Sequence, residues 1–276
     1  MSRAVHLRSV TLRSRPADGE VAFPWSVPAI RALPRIELTE PVSFFVGENG
    51  SGKSTLLEGI AAAAGLPAVG AENVEHDPSL SVQRALASRL ALSWSQRVRR
   101  GFFLRAEDFF GFTKRLARLR CEMLERIDEL DAEYSDRSAY AKGLAQGPAR
   151  ASLADMERRY GIDLDANSHG QSFLKLFRSR FVPHGLYLLD EPEAPLSPQS
   201  QLALIAMIAE MVEQEAQFII STHSPLLLAY PGAAIWSFDR PPIELVKYAE
   251  LEHVNLTRDF LNEPERFLHH LIDRRD

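Results

Sequence analysis

The sequence predicts an α/β protein: a mainly parallel core sheet with an antiparallel β part and an inserted helical lobe. Three observations predict it. Short, nearly continuous apolar runs of the kind that fill buried parallel strands occur at Val42–Val46, Leu186–Leu189 and Phe218–Ser221. The first two give way to turn residues and then to apolar residues at helical spacing, the strand–loop–helix unit of a parallel sheet. Between the first run and the other two lies a charged stretch whose apolar residues follow a heptad-like stripe.

In chain order, Val5–Leu12 alternates well enough to predict a strand, and Arg35–Leu38 predicts another. Pro16, Pro24, Pro28 and Pro34 mark the stretch between them as loop and edge structure. After Val42–Val46 a helix is expected over Lys53–Ala64, with Leu56, Leu57, Ile60 and Ala64 on one face and Gly65 and Pro67 as its stop. Residues 72–100 read as mostly helical, and Gly101–Arg105 as a strand. Thr113–Tyr134 reads as a charged helix striped by Leu116, Leu119, Met123, Ile127 and Leu130. Ser135–Ala166 is polar, contains Gly143, Gly147 and Pro148, and reads as loop-rich. Ser197 and Pro198 begin a helix with Leu202, Ile205, Ile208 and Val212 at helical spacing. Ala233–Phe238 and Ile243–Tyr248 predict a hairpin around Pro241 and Pro242, and Arg258–Asp273 a last helix. The expected organisation is one domain over 1–276, with a core at 1–112 and 167–276 and the lobe at about 113–166.

Composition narrows the function classes. Of 276 residues, 45% are apolar and 25% charged, ordinary for a globular chain with a sizeable core. A net charge of −5 gives no global positive field for nucleic acid or anionic membranes, leaving only local patches such as Arg97, Arg99 and Arg100, or Arg115, Arg118 and Arg120. The single cysteine, Cys121, excludes an intramolecular disulfide and a cysteine-based zinc cage, which fits a cytoplasmic location. Residues 1–11 scatter charge among apolar side chains, unlike a signal peptide. No apolar run approaches about 18 residues, so no membrane insertion is expected.

The residues that follow Val46 carry the chemistry. Gly47, Asn49, Gly50, Ser51, Gly52, Lys53 and Ser54 fit G-x-x-x-x-G-K-[ST], between a predicted strand and a predicted helix. At ordinary glycine frequency a chance match in this length has a probability on the order of 1%. In such a loop successive backbone N–H groups point inward around phosphate oxygens, and the positive end of the next helix adds to the field. Lys53 is then expected to reach the β- and γ-phosphates, Ser54 to hold Mg²⁺ through its hydroxyl, and Thr55 to contact the α-phosphate. The pattern predicts ATP and Mg²⁺ as ligands.

Two further strand ends supply partners for that loop. Leu186–Leu189 delivers Asp190 and Glu191 at its C-terminal end. Beside the loop, Asp190 would meet the metal held by Ser54, and Glu191 would take a proton from an attacking water. Phe218–Ser221 ends at Thr222 and His223, where an imidazole can hydrogen-bond the γ-phosphate. Ser168, a good N-cap residue, opens a helix carrying Leu174, Phe177 and Phe181 on one face, so free N–H groups are expected over Ser168–Gln171.

In this order the residues resemble the ABC-type ATPases, over almost the whole chain. Ser168, His169, Gly170 and Gln171 resemble that family's Ser-Gly-Gly-Gln signature, with His169 in the place of the first glycine. The resemblance implies that Ser168, Gly170 and Gln171 serve the ATP of a partner copy, in an ATP-dependent head-to-tail homodimer. It also implies that Ala194–Ser200 crosses the seam, with Ser197 where an Asp is frequent. Glu107 stands nearest to the usual glutamine ligand of Mg²⁺ or water. Phe23 and Trp25 are candidates for stacking on adenine. Glu191–Glu193 followed by Ser221–Pro225 resembles the non-transport branch, which includes chromosome-maintenance and DNA-repair ATPases, and a group of short bacterial AAA/ABC-like ATPases. The expectation is therefore ATP hydrolysis with Glu191, His223 and Lys53 as the catalytic set, and DNA or a protein effector as candidate partners. Three readings compete: an ATP-gated DNA-binding or repair module, the ATP-binding subunit of a transporter, and a nucleotide switch regulating an effector.

Overall fold

The computed structural model describes residues 4–17, 19–69, 81–160 and 169–272. Its elements run β1 (Leu7–Leu12), α1 (Pro28–Arg31), β2 (Ile36–Glu37), β3 (Val42–Val46), α2 (Lys53–Ala64), α3 (Ser81–Arg89), β4 (Leu90–Trp94), β5 (Gly101–Arg105), α4 (Ala106–Glu133) and α5 (Ala139–Tyr160). The chain continues with α6 (His169–Arg180), β6 (Leu186–Asp190), α7 (Pro198–Glu213), β7 (Gln217–Ser221), α8 (Pro225–Leu228), β8 (Ala234–Ser237), β9 (Glu244–Val246), α9 (Glu252–Asn262) and α10 (Pro264–Ile272). The core sheet has the order β5-β6-β7-β3-β8-β9, parallel except for β9, which pairs antiparallel to β8 as the expected terminal hairpin. A second, antiparallel sheet has the order β2-β1-β4.

Side-chain alternation in the buried strands explains the layering. Val42, Phe44, Val46, Tyr187, Leu189, Phe218 and Ile220 face one cluster, which α6 and α7 complete with Phe173, Phe177, Leu204 and Ile208. Phe45, Leu186, Leu188 and Ile219 face the other, which α2 fills with Leu56, Leu57 and Ile60 and the antiparallel part with Leu7, Val10 and Ile36. A strand buried on both faces needs apolar residues at every position, hence the unbroken runs seen in the sequence.

Buried hydrogen bonds of the Gln217 side chain help fasten the antiparallel part to the core sheet. Gln217, fully buried at the start of β7, accepts from the backbone N–H groups of His6 (3.0 Å) and Leu7 (2.8 Å) and donates to Leu7 O at 2.9 Å. Gln217→Leu keeps the volume but orphans three buried backbone groups, so a loss of about 2–4 kcal/mol is expected from urea unfolding. A midpoint unchanged from the wild type would contradict this reading of the joint.

Four expectations need correction. Within 72–100 only α3 is helical among the described residues, and Leu90–Trp94 is a strand, because pairing with β1 overrides its weak local pattern. The charged helix begins at Ala106, seven residues earlier than its stripe suggests. Residues 139–160 form a helix despite Pro148, because tertiary contacts with α4 outweigh propensity. Gln146, buried, donates to Ile127 O and Asp131 Oδ1, and Lys142 pairs with Asp131 at 2.7 Å. Finally, the last helix is two, α9 and α10, broken at Glu263 with Pro264 opening the second.

Candidate functional site

The parallel register brings the chemistry together. Phe45 pairs with Ser221, Val46 with Ser237, Asp190 with Ser221 and Arg105 with Asp190, so the ends of β3, β5, β6, β7 and β8 lie along one edge. Ligands of open α/β sheets bind at this carboxyl edge. The loop that leaves β3 turns into α2 through Gly52, which has φ of 105°. Only glycine suits that position: the backbone is left-handed, and an added Cβ would stand 2.8 Å from a Val27 methyl.

Lys53 is buried, and burial holds its ammonium below its ordinary pKa while Glu191, Asp190 and Asp239 pull it back up. Its Nζ donates to Gly47 O (2.6 Å) and Glu48 O (2.9 Å), so it lies folded along the loop. One helical position on, Ser54 Oγ donates to Asp190 Oδ1 at 3.0 Å. The loop from β3 and the acid from β6 therefore meet directly.

Asp190 is 8% exposed, and burial pushes its carboxyl up to about 6 against the opposing pull of the Ser54 hydroxyl. A buried carboxylate of this kind is stable only with a cation or a proton. Since its ordinary value is 3.8, the penalty is absent below that pH, grows as pH rises and is complete above about 6. It amounts to on the order of 3 kcal/mol. In the ligand-free protein, Asp190→Asn is thus expected to raise the urea midpoint at pH 7 and to lose that advantage near pH 4. An equal or lower midpoint at pH 7 would contradict it.

Glu191, next in the chain, has φ of 48°, a left-handed conformation costing about 1–2 kcal/mol for a residue with a side chain. Its N–H donates to Ser221 O at 2.8 Å, and its carbonyl accepts from Ala194 N at 3.1 Å, which hold the turn in place. That turn sends the carboxylate toward His223: Oε1 lies 3.7 Å from Nε2, beyond a direct hydrogen bond. Burial, and then the charge of Lys53, keep the His223 imidazole below its ordinary pKa. Its Nε2 and the hydroxyl of Ser51 are buried without a hydrogen-bond partner among the described residues. Glu48, Asn49, Glu191 and His223 line an open cavity of about 480 Å³ beside them.

These features fit a Mg²⁺–triphosphate. The loop offers a lysine beside its backbone, Ser54 and Asp190 offer a hydroxyl and a carboxylate to a hard cation, and the Ser51 hydroxyl and His223 Nε2 have no hydrogen-bond partner among the described residues.

Of the other predicted residues, Gly170 is buried, with an added Cβ falling 3.2 Å from Pro195 O and 3.3 Å from Ser200 Oγ. The start of α6 thus packs on the 194–200 loop. Gln171 is exposed beside it. Ser168 lies outside the described residues, and Glu107 falls in the first turn of α4 directly after β5. Trp25 is buried with Arg89 over its ring at 4.8 Å, so that face is taken, whereas Phe23 is 53% exposed. Sequence reasoning missed Asp239, which accepts from Glu48 N at 2.9 Å and so orders the first turn of the loop. The signal was available: the apolar run Ala233–Phe238 ends in an acid, as Leu186–Leu189 does.

A family model described as "AAA domain" matches residues 30–83, and one described as "AAA domain, putative AbiEii toxin, Type IV TA system" matches residues 173–229. The cobalt import ATP-binding protein CbiO of Salmonella typhimurium is 26% identical over 249 residues, covering 85% of this chain and 83% of the relative. The CbiO of Salmonella typhi matches to the same extent. Among solved structures, a nucleotide-free ATP-binding cassette from an ABC transporter covers 94% of this chain and 96% of its own, at a TM-score of 0.45 and 15% identity. The SMC head domain from Thermotoga maritima covers 88% and 99%, at 0.42 and 14%.

Proposed function

We propose that this chain, a P-loop ATPase of the AAA/ABC type, hydrolyses ATP with Glu191 as general base and couples that reaction to head-to-tail pairing with a second copy. The observation that carries the reading is the 3.0 Å contact between Ser54 and Asp190, which joins the phosphate loop to the acid-bearing strand. In this reading the amides and Lys53 of the 47–55 segment bind and orient the triphosphate. Ser54 and Asp190 would hold Mg²⁺, with Glu107 as a further candidate, and the ion would supply positive charge to the triphosphate. Glu191 takes a proton from water as the water oxygen bonds to the γ-phosphorus. The bond to the β–γ bridging oxygen breaks, and ADP leaves with that oxygen's electron pair. His223, kept neutral by its surroundings, donates to a γ-oxygen. Ser168, Gly170 and Gln171 of each copy reach the partner's nucleotide, and loss of phosphate reopens the pair.

Removing the lysine tests the site itself. Lys53→Ala is expected to weaken ATP binding by about 10–100-fold in calorimetric titration, the worth of one charge-assisted contact to phosphate. Binding as tight as in the wild type would contradict the assignment.

A second reading, the ATP-binding subunit of a transporter, is favoured by the CbiO relative. Among the described residues no helix is long and apolar enough to cross a membrane, and in that role they would dock on a membrane-spanning element. Retention of the tagged chain on washed membranes, released only by detergent, selects the transporter reading. Full recovery in the membrane-free fraction selects the first.

A further inference from the structure

We propose that Glu193 is a positioning residue for His223: it fixes the backbone of the turn at 222–224 and thereby aims the imidazole at the γ-phosphate. The proposal rests on the ATPase reading above. Among the described residues no hydrogen bond holds the ring at Nε2, which stands 3.7 Å from Glu191. The direction must come from the main chain, and there the contact is short. Glu193 Oε1 accepts from His223 N–H at 2.7 Å, a short bond from the loop that carries Glu191. Glu193 is in turn held in a tight turn, its carbonyl accepting from Leu196 N at 2.8 Å.

The far side of the same turn is tied to the same loop. Ser224 N donates to Thr222 Oγ1 (3.0 Å), and Ser224 Oγ donates to Gln201 Oε1 (2.6 Å). Gln201 Nε2 donates to Leu196 O at 3.2 Å. The histidine turn is thus gripped between Glu193 and Gln201, both anchored on residues 191–201, against which Gly170 packs. A shift of this loop on pairing would carry the imidazole with it.

The test compares steady-state and single-turnover ATP hydrolysis by the full chain and its Glu193→Ala, Glu193→Gln and Glu193→Asp variants. Glu193→Ala is expected to lower kcat about tenfold or more while KM for ATP changes less than about threefold, because the group acts on the reacting end of the nucleotide. Glu193→Gln keeps the accepting oxygen and is expected to recover most of kcat. Glu193→Asp keeps the charge but falls one methylene short, and is expected to behave like the alanine variant. Should the alanine variant fail to fold, the Gln and Asp variants decide between them: Gln well above Asp supports the proposal, and equal rates overturn it. In a His223→Ala background the Glu193→Ala loss is expected to vanish, since the two act as one unit. An undiminished loss there, or wild-type kcat in Glu193→Ala, overturns the proposal. A wild-type chain that hydrolyses no ATP overturns the ATPase reading itself, which separates the two failures.

Discussion

Glu191→Gln is expected to lower the rate of ATP hydrolysis by at least about 10³-fold while leaving ATP binding within a few-fold of the wild type. The amide has nearly the shape of the carboxylate and can occupy the same left-handed turn, held by the Glu191 N to Ser221 O bond. It can no longer accept a proton from water. In the proposed site binding depends on other groups, the amides of the loop, Lys53 and the Ser54–Asp190 pair, so it is expected to survive. In the proposed cycle hydrolysis reopens the pair, so the variant is also expected to sediment as a dimer with ATP and Mg²⁺, at concentrations where the wild type runs as a monomer after turnover. Phosphate release at the wild-type rate would remove Glu191 from the role of base.

Gly101→Ala is expected to have the largest effect on stability. Gly101 opens β5 with φ of 129°, and an added Cβ would fall 1.8 Å from the carbonyl oxygen of Leu186. Leu186 is the paired residue of β6, a strand buried on both faces, so the backbone that must yield is the one that delivers Asp190 and Glu191. A loss of about 4 kcal/mol or more is expected, from backbone strain together with separation of β5 from β6. Against a typical total of about 5–15 kcal/mol, that leaves a chain largely unfolded at 37 °C. Circular dichroism during urea titration measures it, and a loss under about 1 kcal/mol would contradict the close approach.

That the loop after Val46 and the acids after Leu189 meet at one strand edge was legible because each is a consecutive stretch whose residue types are constrained by chemistry. Gly47–Ser54 needs particular residues at particular places, and strands buried on both faces show as apolar runs that end abruptly at Asp190 and Thr222. What escaped depends on partners far away in the chain. Leu90–Trp94 becomes a strand only because β1 pairs with it, and Ala139–Tyr160 a helix because Gln146 and Lys142 bind α4. The left-handed backbone at Glu191 has no signature in its own residue type, since it is imposed by the bond to Ser221. Glu193 escaped because it acts through the backbone N–H of His223, which no side-chain pattern announces, while Asp239, which accepts from Glu48 N, was marked only by the acid that ends the run Ala233–Phe238. The expected roles of Ser168, Gly170 and Gln171 come from family resemblance, and of these the structure adds the packing of Gly170 against Pro195 and Ser200.

The central claim is that one edge of the sheet grips a triphosphate with the amides after Val46 and manages its metal with Ser54 and Asp190. A crystal structure of the Glu191→Gln variant grown with ATP and Mg²⁺ tests it most directly. The β- and γ-phosphates are expected against the backbone of residues 47–54, with the cation about 2.1 Å from Ser54 Oγ and beside Asp190. A loop left empty at saturating nucleotide, or a metal out of reach of both residues, would contradict it.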